Sequence, residues 1–207
     1  MTSLRSGVKL GLMKKLSTYL FLILFSFSAP SFADDIQDFE IAGMTIGDSL
    51  LDYMSEEEIK ENVGFVYEDK KFTVSTYNKS SEMYDQIGIE YKSKDKKYKI
   101  HGVQGLIDFP NNIESCYKKQ DEIEKEISSM FTGTKKNNWG ILTNIGRAEG
   151  STYKPITFDF NDGARAAIEC YHYSESPQID HLKIGTNSKE LADYLDYITA
   201  QERKTNN

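Results

Sequence analysis

The chain has 207 residues, of which 25 are lysine or arginine and 32 are aspartate or glutamate, so its formal net charge is −7. An acidic balance of this size argues against non-specific binding to nucleic acid, because phosphate surfaces repel it. The sequence contains no glycine-rich phosphate loop, dinucleotide fingerprint or calcium-binding loop, so we expect no cofactor.

The first 33 residues have the three parts of a secretory signal peptide. Two lysines precede an apolar run at residues 16–28, and the small-x-small sequence at residues 31–33 provides a cleavage site. The run is too short to span the hydrocarbon core of a bilayer, which takes about 20 residues of helix. We predict cleavage near Ala33, whether translation starts at Met1 or at Met13.

The predicted mature chain, residues 34–207, is acidic and has the size of one domain. Removing the leader, which carries four basic residues and no acidic one, takes the formal net charge from −7 to −11. No cysteine lies near the cleavage site to carry a lipid, so we expect no stable membrane anchor after cleavage. The sequence therefore predicts a soluble protein of the periplasm or the extracellular medium.

Two short helices are predicted near the start of the mature chain, over residues 48–62. Asp48 is a candidate cap for the first helix. Ser55 and Glu58 have the spacing of a capping box, in which two side chains satisfy backbone N–H groups reciprocally. This pair predicts the start of the second helix.

Residues 47–50 read Gly-Asp-Ser-Leu and resemble the motif that names the GDSL esterases and lipases. The resemblance implies Ser49 as the nucleophile and a histidine as its base, since a serine hydroxyl needs a base to become reactive. It covers four residues only, the family's Gly-x-Asn-Asp block is missing, and no histidine has an aspartate three residues upstream. We interpret the match as coincidental and keep a serine esterase, with Ser49 and His172 or His181, as the alternative function.

Six later segments alternate apolar and polar residues with the period of two that is typical of strands. In one of them Ile87, Ile89 and Tyr91 share one face, while Glu90 and Lys92 share the other. The predicted strands are residues 71–77, 87–92, 98–109, 156–160, 164–173 and 181–185.

Two further helices are predicted among these strands. Residues 112–131 carry an apolar stripe at three- and four-residue spacing, and residues 188–201 follow the capping pair Asn187 and Glu190. Single-face alternation in the strands indicates an α+β fold, with an antiparallel sheet of about six strands and helices packed on one face. A segment rich in Gly, Asn and Thr, residues 133–152, is predicted to be a flexible loop.

The order of elements indicates two halves with a shared β-β-β-α plan. Ile89 and Glu90 in the first half align loosely with Ile168 and Glu169 in the second. Internal duplication is one interpretation, and chance similarity between short strands is the other.

The two cysteines, Cys116 and Cys170, are predicted to form a disulfide. Cys116 lies on the apolar stripe of the long helix, Cys170 shares a strand face with Ile168, and such a pair is usually oxidised in an exported protein. A pair of reduced buried thiols or a redox-active pair is the alternative. Residues 111–123, NNIESCYKKQDEI, resemble a helix of small exported bacterial proteins that carry a second cysteine in a late strand and have no assigned activity.

Aromatic residues predict a binding surface. Tyr171 and Tyr173 lie on a predicted strand, as do Tyr91 and Tyr98, and the single tryptophan, Trp139, lies in the predicted loop. Such residues are suited to hold a sugar, a peptide or the edge of a protein. The alternative is that the tyrosines only cover a half-exposed sheet.

Two histidines offer an alternative metal site. His172 and His181 are placed to face each other across a turn, with Glu175 or Asp180 nearby. Zinc needs three or four converging ligands, and two hairpin histidines do not supply them, so we expect no metal.

No set of polar residues has the spacing of a catalytic site. The sequence therefore predicts a non-enzymatic exported protein, acting as a binding or interaction module. Its partner is an unidentified protein or small molecule.

Overall fold

A computed structural model describes residues 35–77, 81–143, 149–174 and 178–205, with side chains as far as residue 201. The predicted signal peptide, residues 1–33, lies outside the described residues, and so does Glu175. None of the described helices is long and apolar enough to cross a membrane.

Nine strands in the described part of the chain form one antiparallel sheet. They are β1 (Val63–Val66), β2 (Phe72–Tyr77), β3 (Gln86–Lys92), β4 (Ile100–Asp108), β5 (Lys135–Asn138), β6 (Leu142–Thr143), β7 (Thr152–Asp159), β8 (Arg165–His172) and β9 (His181–Asn187). Their order across the sheet is β1-β2-β3-β4-β9-β8-β7-β5, and β6 also pairs with β7.

Three α-helices accompany the sheet, namely α1 (Glu56–Glu61), α2 (Ile113–Met130) and α3 (Lys189–Thr205). Ser55 and Glu58 form the predicted capping box at the start of α1. At the start of α3 the Ser188 hydroxyl accepts the Leu191 N–H at 3.4 Å, so Ser188 occupies the capping position that the sequence assigned to Asn187.

The α+β class is confirmed, but the predicted number of six strands is wrong. All six predicted strands are present, and β1, β5 and β6 are added at the edges. Both β5 and β6 fall within residues 133–152, so part of the predicted flexible loop is strand. Edge strands bury less of their side chains than central ones, and the Lys-Lys-Asn-Asn sequence of β5 lacks the alternation that marks a half-buried strand.

The strand order places two three-stranded units side by side. β2-β3-β4 and β9-β8-β7 meet where β4 pairs with β9, from Gly102 opposite Asn187 to Asp108 opposite His181. Each unit is followed by a helix, as the predicted β-β-β-α plan requires. If the two units were related by duplication, a two-fold axis perpendicular to the sheet would exchange the antiparallel strands β4 and β9. Rotation about that axis does not exchange the two faces of the sheet, so both helices would lie on one face.

The two long helices instead lie on opposite faces of the sheet, which corrects the prediction of helices on one face. Cys116 of α2 is bonded to Cys170 of β8. Arg165 of the same strand pairs with Asp196 of α3. Residues 165 and 170 point to opposite faces, because side chains alternate along a strand. We call the α2 side the core face and the α3 side the groove face.

The main hydrophobic core lies on the core face, beneath α1, α2 and residues 36–54. The polar Gln120 of α2 is fully buried there, and its side-chain amide donates to the backbone carbonyls of Lys154 at 2.6 Å and Ile168 at 2.8 Å. The largest fully buried side chains of this core are Ile41, Met44, Leu50, Ile59, Ile87, Ile89, Ile100, Ile156, Phe158, Ile168 and Leu182.

The predicted disulfide is confirmed. Cys116 and Cys170 are bonded, their Cα atoms are 6.0 Å apart, and both residues are fully buried. The bond fastens α2 to β8, an interior strand of the sheet.

The groove face is covered only in part. Leu191 and Tyr194 of α3 pack with Phe72 in a small second core. The helix approaches the sheet closely at Gly102, where an added Cβ would lie 2.6 Å from a Leu191 methyl group. Beyond this contact the sheet surface is open.

Candidate functional site

The open part of the groove face forms a groove of about 780 Å³, bounded on one side by α3. Every strand in the described chain contributes a side chain to the groove, from a position that points away from the core face. One contributor from each of β1 to β9 is, in order, Phe65, Val74, Glu90, Gln104, Lys135, Leu142, Pro155, Ala167 and Lys183. Residues from strands at opposite ends of the sheet border one space, so the sheet curls around the groove.

The middle of α3 forms a wall of the groove through Leu195, Asp196, Thr199 and Ala200. Arg165 holds this wall to the sheet. Its Nη1 and Nη2 donate to the Asp196 carboxylate at 2.8 and 3.1 Å. The hydrogen bond to Asp196 is the main cause that raises the pKa of Arg165. The hydrogen bond to Asp159 raises it further, and partial burial opposes the rise.

Aromatic residues stand at two rims of the groove. Trp139, which follows β5, is 59% exposed, and Phe65 on β1 is 54% exposed. The Phe65 and Tyr67 rings meet edge to face with centroids 5.0 Å apart. Large exposed apolar side chains around a concave surface are typical of a ligand site.

The floor of the groove contains an ion pair between neighbouring strands. Lys183 Nζ on β9 lies 2.5 Å from Glu169 Oε2 on β8, and the Tyr171 hydroxyl donates to the same carboxylate oxygen at 2.8 Å. Burial disfavours the charged form of Lys183, but the adjacent Glu169 carboxylate more than offsets it, so the pKa of Lys183 is well above its usual value. Lys183 therefore stays charged and is a poor nucleophile.

Glu90 on β3 is a buried carboxyl group that lines the groove. It is 5% exposed, and it accepts a hydrogen bond from the Tyr67 hydroxyl at 3.1 Å. Burial raises the pKa of the Glu90 carboxyl, although the charge of Lys183 and the Tyr67 hydrogen bond oppose the rise. Burial likewise raises the pKa of Tyr67.

The predicted binding residues are brought together only in part. Trp139 lines the groove. Tyr171 is 6% exposed and supports the groove floor through Glu169, stacked on Tyr153 with ring centroids 5.8 Å apart. Tyr173 lies farther along the face, with its ring 5.8 Å from that of His181.

The other two tyrosines of the predicted surface belong to the opposite side of the sheet. Tyr91 is buried in the main core, where its hydroxyl hydrogen-bonds that of Ser75 at 3.0 Å, and its ring packs against Tyr98. Neither residue borders the groove, so the tyrosines form two separate sets.

Ser49 serves as a helix cap in the described structure. Its hydroxyl accepts the Leu51 N–H at 3.3 Å and donates to the Lys97 carbonyl at 2.8 Å. Asp48, the predicted cap, instead accepts the Tyr53 hydroxyl at 2.5 Å. No histidine is among the hydrogen-bond partners of Ser49 in the described residues, so the geometry does not favour the esterase alternative.

The histidines of the alternative metal site point away from each other. His172 Nδ1 lies 3.1 Å from both carboxylate oxygens of Asp180, whereas His181 stacks on Tyr171 from the groove face. Residues 171 and 172 are neighbours on one strand, so their side chains lie on opposite faces. Within the described ranges there is no group of three or more His, Cys, Asp or Glu residues that could hold a metal.

The groove residues Phe65, Tyr67, Glu90, Arg165 and Lys183 were not predicted as a site. The strand pattern placed Glu90 with Lys92 on the face opposite Ile87, Ile89 and Tyr91. A usable signal was present, since the alignment of Glu90 with Glu169 puts two acidic residues at matching strand positions.

Comparison with known proteins gives no match. No family model matches the chain, and neither a curated protein nor a solved structure matches it. The geometry of the groove is therefore the basis on which a function is assigned.

Proposed function

We propose that this chain is an exported, non-enzymatic binding protein, located in the periplasm or outside the cell, that holds a small ligand in the groove. The N-terminal pattern of a signal peptide and the Cys116–Cys170 disulfide support export. The acidic composition supports solubility.

One observation carries the proposal. The groove of about 780 Å³ draws side chains from every strand of the described sheet and from α3. Small-molecule sites in proteins occupy roughly 300–1,000 Å³ and combine apolar walls with a few placed polar groups. The exposed rings of Phe65 and Trp139, the buried Glu90 and the partly buried Lys183 provide both parts.

The chemistry of the lining supports binding rather than covalent catalysis. Five of its seven charged residues are held in fixed pairs, Lys183 with Glu169 and Arg165 with Asp159 and Asp196. Paired charges orient a ligand but do not make an activated nucleophile, which needs a neighbouring base.

A variant that fills the groove tests the proposal. Ala167 is 7% exposed on the groove floor, so Ala167→Leu should reduce the space for a ligand. Lys118→Trp, at an exposed position of α2 on the opposite side of the sheet, serves as the matched control. A library of small molecules is screened for compounds that raise the melting temperature of the full chain.

We expect some compounds to raise the melting temperature of the wild type and of Lys118→Trp but not that of Ala167→Leu. Compounds that stabilise all three proteins equally would place the binding site elsewhere. Far-ultraviolet circular dichroism of each variant checks that its fold is retained.

A further inference from the structure

We infer that the ligand of the groove carries a protonated amine, and that the carboxylate of Glu90 is the partner of its ammonium group. This inference rests on the proposed function, and it adds the chemical class of the ligand: a small organic cation with an apolar body.

Glu90 is a buried acid that forms no ion pair within the described residues. It is 5% exposed, its side chain lies over Gly102, and Leu191 of α3 packs beside it. The Tyr67 hydroxyl donates to Oε1, which is a neutral partner. In the described part of the chain, no lysine, arginine or histidine forms an ion pair with Glu90. A buried carboxylate in this state is costly, and a cation of a ligand would relieve that cost.

The lysine whose charge acts on Glu90 is already engaged elsewhere. Lys183 pairs with Glu169 at 2.5 Å and lies over the Tyr171 ring, with its Nζ 5.3 Å from the ring centroid. When Glu90 is ionised, it and the Glu169 carboxylate together exceed the charge of Lys183 by one negative charge.

The whole lining has the same imbalance. Arg165 is shared by Asp159 and Asp196, and Lys135 is exposed on the edge strand β5. The acidic residues of the lining are Glu90, Asp159, Glu169 and Asp196, and the basic residues are Lys135, Arg165 and Lys183. With Glu90 ionised, one acidic charge remains in the groove of a protein that is itself acidic, so the field of the groove then attracts cations.

Aromatic rings flank the approach to Glu90. Tyr67 touches the carboxylate, and Phe65 meets the Tyr67 ring at a centroid distance of 5.0 Å. The faces of such rings attract organic cations, and their area contacts an apolar body.

Burial raises the pKa of Glu90, and a bound ammonium would oppose that rise by favouring the ionised carboxylate.

The test compares two fluorescent probes that differ by one charge. Monodansylcadaverine has a primary ammonium on a flexible chain and an aromatic dansyl group, and its N-acetyl derivative lacks the charge. Dansyl emission is titrated with the full wild-type chain, Glu90→Gln, Ala167→Leu and Glu126→Gln. The last variant removes one acidic charge from an exposed position of α2 and controls for net charge.

We expect the wild type to bind the amine at least about tenfold more tightly than the acetylated probe, as for a charge-assisted hydrogen bond. Glu90→Gln should remove this preference while still binding both probes, and Glu126→Gln should keep it. Equal affinity of the two probes for the wild type, or binding of neither, would overturn the amine assignment. If the wild type binds both probes with equal affinity and Ala167→Leu loses this binding, the groove is still the site and the proposed function survives. Binding that Ala167→Leu leaves unchanged would reject the groove as the site and the proposed function with it.

Discussion

Glu169 and Lys183 are directly opposite each other on β8 and β9, and their ion pair lies in the floor of the groove. Both side chains are less than one-third exposed, at 15% for Glu169 and 28% for Lys183. Removing one partner therefore leaves the other charge poorly solvated. We expect Lys183→Met to lower the free energy of unfolding by about 2 kcal/mol.

Urea unfolding of a double-mutant cycle measures this pair. Lys183→Met combined with Glu169→Gln should cost less than the sum of the two single changes, by about 1 kcal/mol, because the second change removes the charge that the first left unpaired. Lys118→Met, at an exposed position of α2, controls for the loss of a lysine. Strict additivity would contradict a coupled pair.

The pKa of Glu90 leads to a prediction about stability and pH. Because burial raises it above the ordinary value of 4.5, the folded state keeps its proton at pH values where the unfolded state has already lost one. Unfolding then releases a proton, so the contribution of Glu90 to stability falls as pH rises from about 4.5 to its raised folded-state pKa. Tyr67, Lys183 and Glu169 are the titratable groups that face this carboxyl.

Glu90→Gln removes this contribution. We expect the free energy of unfolding of Glu90→Gln, relative to the wild type, to increase with pH across that window, by at most about 1.4 kcal/mol per pH unit. Urea unfolding at a series of pH values measures the difference, with Glu126→Gln as the control. A constant difference across the window would mean that Glu90 titrates alike in both states.

Local patterns in the sequence predicted the central strands and α2, because a period of two and a period of 3.6 are visible in short windows. Ile87, Ile89 and Tyr91 are buried as their alternation required. The edge strands were missed for the corresponding physical reason, since all four residues of β1 are exposed and show no burial pattern.

The groove could not be predicted because it depends on contacts between distant segments. The charge of Lys183 acts on Glu90 only because β4 pairs with β9, which joins the two halves of the chain. An apolar stripe on a helix shows that one side is buried but not which face of the sheet covers it. The sequence patterns therefore led to the prediction of both helices on one face, whereas α2 and α3 lie on opposite faces.

The capping role of Ser49 makes the esterase alternative testable. Ser49→Ala removes two hydrogen bonds at the start of the short helix Leu50–Asp52 and should lower the free energy of unfolding by about 1 kcal/mol. We expect a fluorophosphonate probe to leave Ser49 unlabelled in the folded protein. Labelling of the wild type that disappears in Ser49→Ala would favour the esterase instead.

Export predicts a defined N-terminus. If the signal peptide is cleaved after Ala33, the secreted or periplasmic protein should begin at Asp34, and Edman sequencing or intact mass measures this directly. Material that retains residues 1–33 and remains in the cytoplasm would contradict the proposed location.

The disulfide provides a prediction about both redox state and stability. Cys116 and Cys170 are 54 residues apart, and in the chain-entropy model the closure of such a loop stabilises the fold by about 4 kcal/mol. Intact mass after alkylation without reductant should show no modified cysteine. Replacing both cysteines with alanine should lower the free energy of unfolding by up to that amount, and the reduced wild type should behave similarly. An unchanged unfolding midpoint after reduction would mean that packing between α2 and the sheet, rather than the covalent bond, supplies the stability of this contact.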